Sequence, residues 1–221
     1  MTPTASSEAA VELYSTYASG RLDPAFSLML ETQSMLRPDV RRTLAASEAI
    51  SGLMLETEQP AAMKTHALQS ALDLIEGIET AGNVPGSPPG ARDMELEQLP
   101  NPLRDHAVDA FRASGWRGVA GGIARLGLDV GSDLEVELYR IEPGARVPRH
   151  SHGGQEFTLV VQGGFSDETG SYGPGDLSVN GPEDVHQPVG DPGEVCFALA
   201  VRDAGLRFTG MLGLVQRVLG H

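Results

Sequence analysis

The chain has 221 residues, 40% of them hydrophobic, a single cysteine and a formal net charge of -14 at pH 7; this suits one medium domain or two small ones with a buried core. No run approaches the ~20 apolar residues of a membrane span. The first eight residues lack the basic and apolar regions of a secretory signal, and one cysteine cannot form an internal disulfide, so a cytoplasmic protein is expected. The acidity argues against direct nucleic-acid binding and against anionic membranes, whereas a basic protein partner would be attracted.

In chain order, Ser6 or Ser7 can cap a first helix that runs to about Ser19 and ends at Gly20. Asp23-Pro24 predicts the start of a second, with Asp at the N-cap and Pro in the first turn, running to about Leu36. Pro38 stops it and opens a third helix through Val40, Leu44, Ile50 and Met54. Gln59-Pro60 breaks the chain again. Leu68, Ala71, Leu72, Ile75 and Ile78 then fall on one stripe of a fourth helix. Residues 1–80 therefore read as a small helical bundle, or as an open helical module that docks on something larger.

Residues 81–98 hold three prolines and three glycines in their first ten positions and read as an exposed linker. Beyond them, in residues 99–221, the period changes to two. Leu134, Val136 and Leu138 alternate with Glu135, Glu137 and Tyr139; similar runs cover Phe157–Val161 and Val195–Val201, separated by Gly-rich turns. The expected fold is thus multidomain: a helical module followed by an all-β barrel or sandwich. Cys196 falls in an apolar strand and reads as a core residue.

Three of the six histidines fall within 37 residues of the barrel region. His150 and His152 are two apart, so on a strand both rings share a face. Glu156 has the same parity but would lie ~13 Å away along a straight strand, too far to share an ion. Gly153-Gly154 supplies the bend that could fold it back.

The segment Gly144 to Gly163 resembles the first motif of the cupin superfamily: G, five residues, H-x-H, three or four residues, E, six residues, G. Gly175-Asp176, Pro182 and His186 resemble the second motif, with a Pro-to-His gap one residue shorter than usual and Gly190 in place of a trailing Asn. The resemblance implies a cupin (double-stranded β-helix) barrel binding one divalent metal through His150, His152, Glu156 and His186. Zn²⁺ is the expected ion for a closed site; open positions would suit Fe, Mn or Ni.

Over most of its length the chain also resembles the ChrR-type anti-sigma factors. The resemblance rests on Tyr17–Leu22, Ala25–Leu28, Leu99–Arg104, Leu159–Gly163, Phe165–Thr169 and Leu206–Phe208. It implies a helical domain that binds an extracytoplasmic-function sigma factor and a cupin that senses an oxidant or small ligand. One departure stands out: the H-x3-C-x2-C zinc motif of such helical domains is absent, and Gln33, Arg37 and Val40 occupy its positions. Packing through Leu36, Val40 and Leu44 would have to replace the metal. The alternatives are a helical module that merely caps or dimerises the barrel, and a metal-dependent cupin dioxygenase acting on a small organic substrate. Pairing of barrels through their edges would give a homodimer.

Overall fold

The computed structural model describes residues 13–81, 91–203 and 206–208. Helix α1 is described over residues 13–18, and its expected serine cap lies outside the described residues. Helices α2 (Pro24–Leu36), α3 (Pro38–Glu56) and α4 (Ala67–Ala81) follow the sequence expectations closely. Asp23 caps α2 by accepting a hydrogen bond from the Ala25 N–H at 2.9 Å, satisfying a donor that the helix itself leaves unpaired. Arg37 separates α2 from α3 in an extended conformation (φ -122°), as the ring of Pro38 demands of its predecessor.

Among the described residues, the helices build a small core of their own. Leu30, Val40 and Leu44 make a small core with Leu13, Tyr14, Tyr17 and Leu22 packed around it. The other face of α2 belongs to the barrel: Ala25, Leu28 and Met29 share one apolar cluster with Phe157, Leu159, Leu199 and Val201. Phe26 meets Phe157 edge-on with ring centroids 4.9 Å apart. Helix α2 thus covers part of the apolar outer face of the sheet.

The linker reading needs correction at its C-terminal end. Residues 82–90 lie outside the described residues, but Ala91–Leu96 forms helix α5, and Leu96 and Leu99 are buried. They join Leu103, Ala107 and Val108 of helix α6 (Leu103–Ser114) against the same sheet face. Two apolar residues anchor what is otherwise a charged stretch.

The β-domain begins with β1 (Arg117–Ala120), β2 (Ile123–Gly127) and β3 (Glu135–Ile141), continues with β4 (His150–His152), β5 (Glu156–Gln162), β6 (Phe165–Ser166), β7 (Ser171–Tyr172) and β8 (Leu177–Asn180), and ends with β9 (Val189–Gly190), β10 (Cys196–Arg202) and β11 (Leu206–Phe208). A six-stranded sheet has the order β1-β2-β3-β10-β5-β8, while β7-β6-β9 and β11-β4 form smaller sheets. All the paired strands are antiparallel. Backbone bridges Arg146↔Val189 and His150↔His186 join the segments between them. The large sheet is buried on both faces: helices cover one, and the second lines the barrel interior with Tyr139, Ile141, Val160, Cys196, Ala198 and Ala200. Small side chains at 198 and 200 leave room for a cavity there.

Candidate metal centre

The structure brings His150, His152, Glu156 and His186 together, all buried, with one donor atom from each within 4.8 Å of the others. Short strand β4 carries both histidines. The chain then bends at Gly153-Gly154, and Glu156 opens β5. The bend is held from outside: Asp203 accepts a hydrogen bond from the Gln155 N–H at 2.8 Å. A Cβ at position 154 would sit 1.8 Å from the same Asp203 oxygen. His186 arrives on the loop after β8 and pairs its backbone with His150 in both directions at 3.1 Å.

The tautomers are fixed by outer partners. His150 Nδ1 lies 2.8 Å from the Pro148 carbonyl, which can only accept. His186 Nδ1 lies 2.9 Å from the Asp167 carboxylate. Both Nδ1 atoms therefore carry the proton, and both Nε2 atoms present a lone pair. Yet His150 Nε2 and His186 Nε2 are only 3.1 Å apart, as are His152 Nε2 and His186 Nε2. The His150 and His186 lone pairs at that distance repel unless a cation lies between them. Donors ~2.1 Å from a shared ion stand roughly 3.0 to 3.4 Å apart at octahedral or tetrahedral angles, so the spacing fits a first-row metal without selecting a geometry.

A proton is a poor substitute for that cation. Burial first, and then the neighbouring His186, push His150 and His152 down to about 4, so both rings are neutral at physiological pH. Burial would raise the Asp167 carboxyl, but hydrogen bonds from Thr169 and His186 outweigh it and keep it below its ordinary value. His152 Nδ1 has no hydrogen-bond partner among the described residues and lies 3.7 Å from Glu156.

A buried charge network stands behind Glu156. Thr158 Oγ1 donates to one carboxylate oxygen at 3.1 Å, and Arg202 approaches the other at 3.3 Å. Arg202 also donates to Tyr139 at 2.9 Å, to Glu137 and to Glu135. Its N–H groups are thus committed to protein partners. Tyr139 donates in turn to Glu137 at 2.7 Å, and Arg125 reaches Glu137 from the rim at 2.8 Å. Beside the cluster lies a cavity of about 50 Å³, lined by His150, Glu156 and His186 at one end and by Ile141, Phe165 and Ala198 elsewhere. By the measure of one probe sphere per water it has room for roughly four waters.

Sequence reading finds the four clustered residues but not Arg202, Glu137, Tyr139, Thr158 or Asp167. A parity signal existed for four of them: Glu137 and Tyr139, Thr158 with Glu156, and Arg202 each alternate with the apolar residues that face the helices.

Comparison with known proteins bears on what this arrangement serves. Residues 104–204 match the family model described as the ChrR cupin-like domain. The chain is 34% identical over 201 residues, 90% of its own length and 91% of the relative's, to the anti-sigma-E factor ChrR of Cereibacter sphaeroides. Its structure is similar to the crystal structure of Rhodobacter sphaeroides SigE in complex with the anti-sigma ChrR, with a TM-score of 0.67, 31% identity, and coverage of 87% of this chain and 96% of that one. Among the described residues no helix is long and apolar enough to cross a membrane.

Proposed function

The chain belongs to the ChrR family of anti-sigma factors, and on that premise we propose that it holds a sigma factor inactive through its helical module. The family relationship favours this reading over a metal-dependent cupin dioxygenase. The observation that carries it lies on α3 and α4. Ile50, Leu53, Met54, Leu55, Leu68 and Leu74 are all more than half exposed. Large apolar side chains exposed in this number on two helices mark an interface. The partner is a sigma factor because the relative of similar architecture is seen in complex with one. A sigma factor's basic DNA-reading surface would also complement a chain of net charge -14.

In the barrel, His150, His152, Glu156 and His186 are proposed to hold one divalent ion, Zn²⁺ in preference to Fe, Mn or Ni. The converging Nε2 lone pairs support a metal, and three imidazoles with one carboxylate suit zinc. When bound, the ion supplies the positive charge that these donors lack. The cavity beside it would take a small ligand or oxidant as the signal. The single cysteine and the family relationship suit a protein acting in the cytoplasm.

The test is co-purification with a group IV sigma factor from the same genome, followed by transcription in vitro. Wild type should block sigma-dependent transcription, and Leu53→Asp with Leu74→Asp should release it without changing the barrel's melting temperature. Absence of binding by wild type would overturn the reading.

A further inference from the structure

The corner between α2 and α3 has no His or Cys that could hold it by a metal, yet it is tied down. Gln33, buried in α2, donates from Nε2 to the Gly175 carbonyl at 3.0 Å. Arg37, thrown sideways by Pro38, reaches Asp176 at 3.1 Å. The Arg37 stem lies so close over Gly175 that a Cβ there would meet its Cγ at 2.5 Å and its Cδ at 2.8 Å, and Gly175 has φ +85°. Only glycine permits this approach. Both contacts span about two thirds of the chain, so they join the helices to the barrel and not to each other.

The point of attachment matters more than its strength. Gly175 N–H donates to the Val160 carbonyl at 2.8 Å, and Val160 N–H donates to the Asp176 carbonyl at 3.0 Å, so the turn is pinned to β5. Asp176 braces the turn by accepting from Gly173 N–H at 2.9 Å. The β5–β8 pair then runs from Leu159↔Leu177 at the turn to Glu156↔Asn180 at the metal centre. Directly after β8 the chain leads to His186. One end of this two-stranded unit sits under Arg37, and the other carries Glu156 and leads on to His186, roughly 10 Å away.

We infer that Gln33 and Arg37 are positioning residues that clamp the α2–α3 corner to the Gly173–Asp176 turn, so that occupancy of the metal centre is transmitted through β5 and β8 to α3. The inference rests on the sigma-binding reading only for what α3 then does. Metal binding draws Glu156 and His186 together and stiffens the strand pair; the clamp passes that order to the start of α3, whose far half carries the exposed apolar face. Without the clamp, α3 is held to the rest of the chain by the Leu30, Val40 and Leu44 cluster, which makes no use of the barrel turn.

Hydrogen exchange on the full chain decides it. Adding Zn²⁺ to metal-free wild type should slow exchange of the α3 amides around Val40 to Leu44 by about fivefold or more. The double variant Gln33→Leu/Arg37→Ala leaves the turn and the clustered residues intact. It should bind Zn²⁺ with unchanged stoichiometry and show no such slowing. Equal slowing in the variant, or none in wild type, overturns the inference. If the double variant loses its cooperative barrel transition, Arg37→Met, which keeps the stem on Gly175, takes its place. It should lose at least half of the effect, and full retention overturns the inference. Failure of every sample to bind a sigma factor would remove the functional reading above while leaving the exchange result to decide the clamp.

Discussion

Arg202 and Glu156 are register partners across the β10–β5 pair, with guanidinium and carboxylate 3.3 Å apart. Arg202 is only 2% exposed, and its surroundings count three carboxylates (Glu135, Glu137, Glu156) against two guanidiniums (Arg125, Arg202). The local excess is therefore one negative charge, lodged next to a cluster that collects neutral imidazoles. A divalent ion reverses that excess. Removing Arg202 leaves Glu137 and Glu156 buried without their main counter-charge, a loss of about 3–5 kcal/mol in comparable cases. Arg202→Met should accordingly destabilise the metal-free protein by that order in urea denaturation. With Zn²⁺ bound the loss should be smaller, because the ion takes over part of the compensation. Equal losses with and without metal would show that Arg202 and the ion do not share Glu156.

Asp167 acts on the site at one remove. Its carboxylate holds the proton on His186 Nδ1, which keeps the Nε2 lone pair turned inward. Outer partners of this type are worth about 10–100-fold in metal affinity. Asp167→Ala should weaken Zn²⁺ binding by that factor in a competition with a chromogenic chelator, with one ion per chain still bound at saturation. Unchanged affinity would mean that backbone geometry alone sets the His186 tautomer.

What could be read from the sequence divides along a physical line. Local chemistry was legible: Asp23-Pro24 starts a helix because a cap and a fixed φ are properties of two adjacent residues, and Gly153-Gly154 announces the bend that lets Glu156 reach the histidines. Parity placed Glu137, Tyr139 and Arg202 on one face of their strands but could not say which face was inside. The apolar residues Val136, Leu138, Leu199 and Val201 look like the barrel's interior and instead face α2 and α6. Only knowledge that helices cover this sheet inverts the assignment. The attachment of Gln33 and Arg37 to Gly175 and Asp176 was beyond sequence reading for a simpler reason. It depends on residues about 140 positions apart, and neither side carries a pattern that points to the other.

Gly154 offers a test of the bend itself. An added Cβ would collide with the Asp203 oxygen that secures Gln155, so Gly154→Ala must displace either the bend or its anchor. Since Glu156 lies two residues on, metal affinity should fall by tenfold or more. Gly170→Ala, where a Cβ would meet nothing within 4 Å, should leave affinity unchanged. A Gly154→Ala protein with wild-type affinity would show that the bend does not set the position of Glu156.

Cys196 bears on how an oxidant could be sensed. The thiol is fully buried in β10, and burial first, with Asp191 and Glu194 adding to it, pushes it up to about 12. The reactive form is the thiolate, so the folded protein should resist iodoacetamide at pH 8 until denaturant opens the barrel. The sign of the pH effect follows from the same shift. Below pH 9 the thiol is protonated in both folded and unfolded chains and has no influence on stability. Above pH 9 the unfolded chain releases its proton while the folded one keeps it, so unfolding becomes easier as pH rises from 9 towards 12. Replacing Cys196 with Ala should remove that alkaline component of the pH profile, at the expense of a small cavity. Rapid alkylation of the native protein at pH 8 would contradict this account and make Cys196 a candidate sensor; slow alkylation leaves the metal centre as the place where an oxidant would act.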